Sequence, residues 1–103
     1  MIKGTTPILH YDLPFETSAI STAEIVLEYV DNNKKILIVK DKEKCTLGDK
    51  SIEAVLTQEE TLQIPAPSFV YVQLRIKTTD GTILATEAQK VSVKRLLKES
   101  VIE

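Results

Sequence analysis

The segment Phe69-Val70-Tyr71-Val72-Gln73-Leu74-Arg75-Ile76-Lys77-Thr78 decides the fold class. Val70, Val72, Leu74 and Ile76 share one parity, and Tyr71, Gln73, Arg75 and Lys77 share the other. Side chains alternate faces along a strand, so this pattern writes one dry face and one wet face; a helix would scatter the four apolar residues around its circumference. Just downstream, Thr79-Asp80-Gly81-Thr82 is a hairpin signal. Asp-Gly suits a two-residue type I′ turn with positive φ at both positions. The partner strand is expected over 83–93, with Ile83, Ala85, Val91 and Val93 on its dry parity. Glu87 and Gln89 intrude on that parity, and a bulge near 86–89 restores the register.

The same period runs upstream. Ala23-Glu24-Ile25-Val26-Leu27-Glu28-Tyr29-Val30 places Ile25, Leu27 and Tyr29 inward and Glu24 and Glu28 outward. Asp31-Asn32-Asn33 tolerates left-handed backbone. The apolar run Lys35-Ile36-Leu37-Ile38-Val39-Lys40 follows, and its length and β-branching favour a strand, so the two form a hairpin. Residues 41–50 are charged and end in a turn, with a short strand through Cys45-Thr46-Leu47. Residues 51–57 alternate again, with Ile52, Ala54 and Leu56 inward. Thr57 and Glu60 form a capping box, which starts one helical turn near 58–61. Pro65-Ala66-Pro67 blocks further helix and enforces extended chain. A short first strand is read over 8–11, ended by Leu13-Pro14-Phe15.

Together these give an all-β chain of about seven strands, a β-sandwich of immunoglobulin-like size. With no tryptophan and a single cysteine, the sandwich must be held by its aliphatic core. Residues 1–93 form the sandwich and 94–103 a tail or short helix, because Val93, Leu96, Leu97 and Val101 fit a helical stripe. An isolated helix of this length is marginal and must dock to persist.

The chain has 103 residues, enough for one domain, with 13 Lys+Arg against 15 Asp+Glu and a net charge of −2. A nucleic-acid binder needs a basic face to displace counterions, so that class is excluded. No run reaches the ~20 apolar residues of a membrane span, and residues 1–7 lack the apolar core of a signal peptide.

Catalytic motifs are missing from the reading. His10, the one histidine, lies between Leu9 and Tyr11 with no nucleophile or orienting carboxylate marked by spacing, and reads as a surface strand residue. Cys45 is flanked by lysines that lower a thiol pKa, yet it reads as a small structural residue. Asp41, Glu43 and Asp49 lack the ladder of a calcium loop. Gly4, Gly48 and Gly81 form no phosphate cradle. The expectation is a non-enzyme with no metal, no cofactor and no small-molecule substrate. Lys90, Lys94, Arg95 and Lys98 make a basic run that serves as a solvated face or as a contact for an acidic partner. Tyr11 and Tyr71 are expected on outward faces, where tyrosine suits interfaces.

Several words of the sequence, in order, carry a family resemblance: Gly4-Thr5-Thr6-Pro7, Leu13-Pro14-Phe15, Leu56-Thr57-Gln58-Glu59-Glu60-Thr61-Leu62, Val72 through Gly81, Ala85-Thr86 and Val91-Ser92-Val93. The chain resembles the small proteins encoded in prophages of Firmicutes among genes for virion structural parts. It is also similar in size and strand pattern to the immunoglobulin-like N-terminal modules of phage baseplate proteins. The resemblance implies a tail or baseplate adaptor, made in the host cytoplasm and assembled into the virion with other virion proteins or with itself. It brings no catalytic residues. The expected contacts are Tyr71, Gln73 and Arg75 on one strand face, and Leu96, Leu97, Val101 and Ile102 in the tail. Two other readings stand beside this one: a carbohydrate- or receptor-binding module, disfavoured by the scarcity of aromatics, and a regulatory factor acting on the host.

Overall fold

The computed structural model describes residues 1–102. Its strands are β1 (Ile8–Asp12), β2 (Ile20–Asp31), β3 (Lys34–Asp41), β4 (Thr46–Leu47), β5 (Ser51–Val55), β6 (Ser68–Thr78), β7 (Ile83–Ala85) and β8 (Gln89–Val93), with one helix, α1 (Gln58–Leu62). They form two antiparallel sheets, β1-β5-β4 and β3-β2-β6 with β7 and β8 both against β6. Since β7 and β8 share one flank of β6, the sandwich has seven strand positions. No helix among the described residues is long and apolar enough to cross a membrane.

The dry parities meet as expected. Ile25, Leu27 and Tyr29 of β2, Val70, Val72, Leu74 and Ile76 of β6, and Ile52 and Ala54 of β5 are buried in one cluster. The turn α1 carries the chain from the small sheet to the large one. Thr57 Oγ1 accepts from the Glu60 amide (3.1 Å), and Glu60 Oε1 accepts from the Thr57 amide (2.8 Å), so the capping box is complete. Thr61 is fully buried and donates its hydroxyl to the Thr5 carbonyl at 2.8 Å.

The strand orders β1-β5-β4 and β3-β2-β6-β8 follow the B-E-D and C′-C-F-G orders of the immunoglobulin arrangement, as expected. There strands B and C lie in opposite sheets, as β1 and β2 do in this chain. Here Asn32 (φ 51°) and Asn33 (φ 63°) close a two-residue turn that keeps β2 and β3 paired in one sheet. A turn that short leaves no chain to cross between layers.

The second hairpin departs from expectation in its turn type. Gly81 has φ 90°, but Asp80 is not left-handed, so the turn is not type I′. The Gly81 amide donates to the Thr78 carbonyl (3.0 Å) and the Thr78 amide to the Thr82 carbonyl (2.9 Å), which makes a longer loop with glycine alone in the left-handed position. Arg75 pairs with Ala85, whereas Val72 pairs with Gln89, so one extra residue enters between β7 and β8. The bulge falls in the expected place, but it flips parity. Leu84, opposite Ile76, faces inward, while Ile83 and Ala85 lie on the outer face beside Lys77 and Arg75.

Tyr11 is corrected as well. Along β1 the half-buried residues are Leu9 and Tyr11, and His10 and Asp12 face outward, so Tyr11 packs against the core. In the tail, 94–102 form no helix. Lys94 bridges Ile2, Lys3 pairs with Glu99, and Gln58 makes reciprocal 3.1 Å bonds to the Ile102 backbone. These contacts to the N-terminal segment and α1 hold the tail extended, against a helix too short to form alone.

Candidate functional site

The outer face of the larger sheet is built from the wet parities of three adjacent strands. β6 contributes Phe69, Tyr71, Gln73 and Arg75; β2 contributes Glu24, Val26, Glu28 and Val30; β3 contributes Lys35, Leu37, Val39 and Asp41. The registers set these in rows: Leu37, Glu28, Tyr71 and Lys90; Val39, Val26 and Gln73; Asp41, Glu24, Arg75 and Ala85. The outward parity is not uniformly polar. Val30 (58%), Leu37 (54%), Phe69 (54%) and Tyr71 (42%) are all exposed, with Val39 beside them. An apolar strip therefore runs across a face that a solvated sheet would fill with polar side chains.

Charges border the strip and, at Glu28 between Leu37 and Tyr71, interrupt it. Arg75 Nη2 lies 2.7 Å from Glu24 Oε1, and Lys35 Nζ lies 3.7 Å from Glu28 Oε1. The Lys90 ammonium sits 4.1 Å from the centre of the Phe69 ring, a cation–π contact. Gln73 Nε2 donates to the Thr86 carbonyl at 2.8 Å, which fixes its amide beside the bulge. Aromatic and aliphatic area with paired charges at the margin is the composition of a protein-binding patch.

Tyr71, Gln73 and Arg75 are thus brought together, as expected. The tail residues are not. Leu96 is half-buried against Gly4 and Leu62, where Gly4 adopts φ +79°. Leu97 is 90% exposed, and Val101 and Ile102 are also exposed. The stripe that would have united them needs a helix that does not form. Sequence reasoning missed Val30, Leu37, Val39 and Phe69. For Leu37 and Val39 the signal was present: an apolar run in β3 too continuous for a strand with one wet face.

The remaining chemistry-bearing groups lie elsewhere. His10 Nδ1 is 2.6 Å from Glu53 Oε1 and its Nε2 is 2.8 Å from Asp12 Oδ1. Hydrogen bonds donated to the Asp12 and Glu53 carboxylates raise its pKa above the ordinary 6.5, because only the doubly protonated ring can donate to both. Both nitrogens are committed, and no cluster suited to a metal occurs among the described residues. The Cys45 thiol is partly buried and 3.5 Å from the Lys40 carbonyl. Burial, aided by Asp41, raises its pKa against the opposing Lys40 charge, so the flanking lysines do not activate it. Beneath β7, an apolar cleft of about 210 Å³ is lined by Tyr11, Leu13, Phe15, Leu74 and Leu84. It is smaller than the ~300 Å³ lower bound of small-molecule pockets. The Tyr11 hydroxyl is buried, close to Thr86 but without a hydrogen bond of full geometry, and burial raises its pKa.

No family model, no curated protein and no solved structure matches this chain.

Proposed function

We propose that this chain is a structural interaction protein of a phage or prophage virion, an adaptor of the tail or baseplate that works by protein–protein contact. The observation that carries the interaction reading is the apolar strip of Val30, Leu37, Phe69 and Tyr71, exposed on a face flanked by the Glu24–Arg75 pair. The virion setting rests on the resemblance of the sequence words, as does synthesis in the host cytoplasm followed by incorporation into the particle. The partner is another virion protein whose apolar patch carries its own marginal charges.

The test is co-expression with the proteins encoded beside this chain, which this reading expects to be tail and baseplate proteins, followed by co-purification. Tyr71→Ser and Arg75→Gln put no like charge opposite Glu28 or Glu24; they are expected to leave the sheets folded and to abolish capture of one such protein. Capture that survives both changes would overturn the role of this face. Failure to capture any neighbouring virion protein would overturn the virion role.

The carbohydrate-binding alternative has one observation in its favour: Phe69 and Tyr71 are exposed on one strand face. Against it, the Phe69 ring already carries Lys90, which leaves Tyr71 as the open stacking surface. Reproducible glycan-array binding lost in Tyr71→Ala would reverse the ranking.

A further inference from the structure

Sheet edges expose unpaired backbone amides and carbonyls, and proteins blunt them by shortness, bulges, proline or cover. Three of the four edges here are blunted. β4 has two residues, β7 and β8 are interrupted by the bulge, and β1 has five residues and is followed by Pro14. The fourth, β3, runs unbroken for eight residues without bulge or proline, and among the described residues β2 alone pairs with it.

The register of β3 determines which of its groups are free. In a hairpin closed by two residues, the flanking pair Asp31 and Lys34 is hydrogen-bonded, and bonding then alternates. Lys34, Ile36, Ile38 and Lys40 therefore bond to β2. The amides and carbonyls of Lys35, Leu37, Val39 and Asp41 point away from it, and all four residues are exposed.

We infer that β3 is a self-complementary edge that pairs antiparallel with β3 of a second copy, about a two-fold axis through Ile38. This goes beyond the interaction reading above by naming a second copy as a further partner, with an edge and a register; it is carried by the backbone edge of β3, whose Leu37 and Val39 side chains share the outer face with Tyr71 and Arg75. Antiparallel pairing joins residues with free edge groups, here odd to odd. With Ile38 on the axis, Leu37 meets Val39 of the second copy and Lys35 meets its Asp41. The symmetry repeats each pair, which gives two oppositely charged pairs and an aliphatic centre. On the inner side of this edge, half-buried Ile38 meets Ile38 of the other copy, and half-buried Ile36 meets its Lys40 and lies diagonal to its Ile38. Registers shifted by two residues lose this match. With Leu37 on the axis, Lys35 meets Val39 and Lys34 meets Lys40; with Val39 on the axis, Leu37 meets Asp41. The ends are accommodated, since the Lys42 ammonium beyond the strand is already bonded to the Ile20 carbonyl at 3.1 Å. The paired sheets would form one continuous layer, and Leu37 and Val39 would extend the outer apolar strip across the axis.

The test is the oligomeric state of the full chain by sedimentation equilibrium over a wide concentration range. A dimer is expected. Val39→Pro removes an amide that faces away from β2, so the native ladder survives. Each copy loses one edge donor, roughly tenfold apiece in the dissociation constant, so the dimer weakens roughly a hundredfold. Lys35→Glu and Asp41→Lys each set like charges opposite one another and are expected to be monomeric alone. Mixed together they restore both attractive pairs and are expected to form a heterodimer. This mixing arm does not depend on whether the proline variant folds. A chain that stays monomeric at all concentrations overturns the inference. So does a dimer indifferent to Val39→Pro, or a mixture of the charge variants that remains monomeric. Loss of the dimer with retained capture of a virion protein would separate this edge from the outer face.

Discussion

The Lys40 ammonium donates to Glu60 Oε1 across 2.8 Å, tying the edge strand of the larger sheet to the helical turn that crosses between layers. Both side chains are largely shielded, 12% and 27% exposed. The same carboxylate oxygen accepts the Thr57 amide, so one atom serves the helix cap and the inter-element tie.

Lys40→Met is accordingly expected to lower unfolding free energy in urea by about 1–2 kcal/mol, the worth of a shielded charge-assisted hydrogen bond. Burial acting alone would raise the Glu60 pKa, but the Lys40 and Thr57 bonds outweigh it and hold it below the ordinary 4.5. A lowered folded pKa stabilises above the unfolded value, and that contribution is lost as pH falls through the folded value. The acid limb of the stability profile should be shallower in Lys40→Met than in the wild type. An identical limb would mean that Lys40 does not set the Glu60 titration.

His10 should titrate above 6.5, and Asp12→Asn or Glu53→Gln should each bring it down. The sign is opposite to that of Glu60. A raised folded pKa contributes stability that is complete below 6.5 and disappears as pH rises through the folded value. Proton NMR of the imidazole reads this directly, since the chain has one histidine. A midpoint at or below 6.5 would show that the two carboxylates do not hold the ring in solution.

Gly4→Ala should cost about 1–2 kcal/mol, the penalty for an L side chain in left-handed backbone. Its new methyl would also meet the Leu96 side chain at 2.6 Å and that of Leu62 at 3.1 Å. Hydrogen exchange at residues 94–102 is expected to accelerate in this variant. Unchanged exchange there would indicate that Leu96 does not anchor the tail.

Removal of residues 95–103 should preserve the sheets, with a loss of about 1 kcal/mol from the half-buried Leu96. On the proposed adaptor reading, with exposed Leu97 and Ile102 as contacts, it is expected to abolish assembly with the partner. Normal assembly of the truncated chain would confine partner binding to the outer sheet face.

The inner face of β6 was legible because its period is unbroken over Val70, Val72, Leu74 and Ile76, and a strand buried on one face records that burial directly in sequence. The capping box was legible because its chemistry is local. The parity of β7 was not. At the bulge, the Thr86 hydroxyl accepts from the Leu74 amide at 3.0 Å while the Thr86 amide donates to the Leu74 carbonyl at 2.9 Å. A side chain thus stands in for a ladder carbonyl, and nothing in the residue pattern says on which side of Thr86 the phase changes. Of the candidate contacts, Tyr71, Gln73 and Arg75 follow from parity alone. Their neighbours Leu37 and Val39 depend on pairing three strands in register, which is long-range information. The tail misled because its apolar spacing satisfies a helix, while its tethers to Ile2, Lys3 and Gln58 lie far away in sequence.

The lone thiol of Cys45, half-covered and held protonated by its surroundings, gives the molecule a built-in opening gauge. In the closed form it should react sluggishly with alkylating reagents at neutral pH, and promptly once the 41–50 loop lifts. Labelling speed at this single atom therefore times local breathing next to the β3 margin, without any foreign dye or inserted tag.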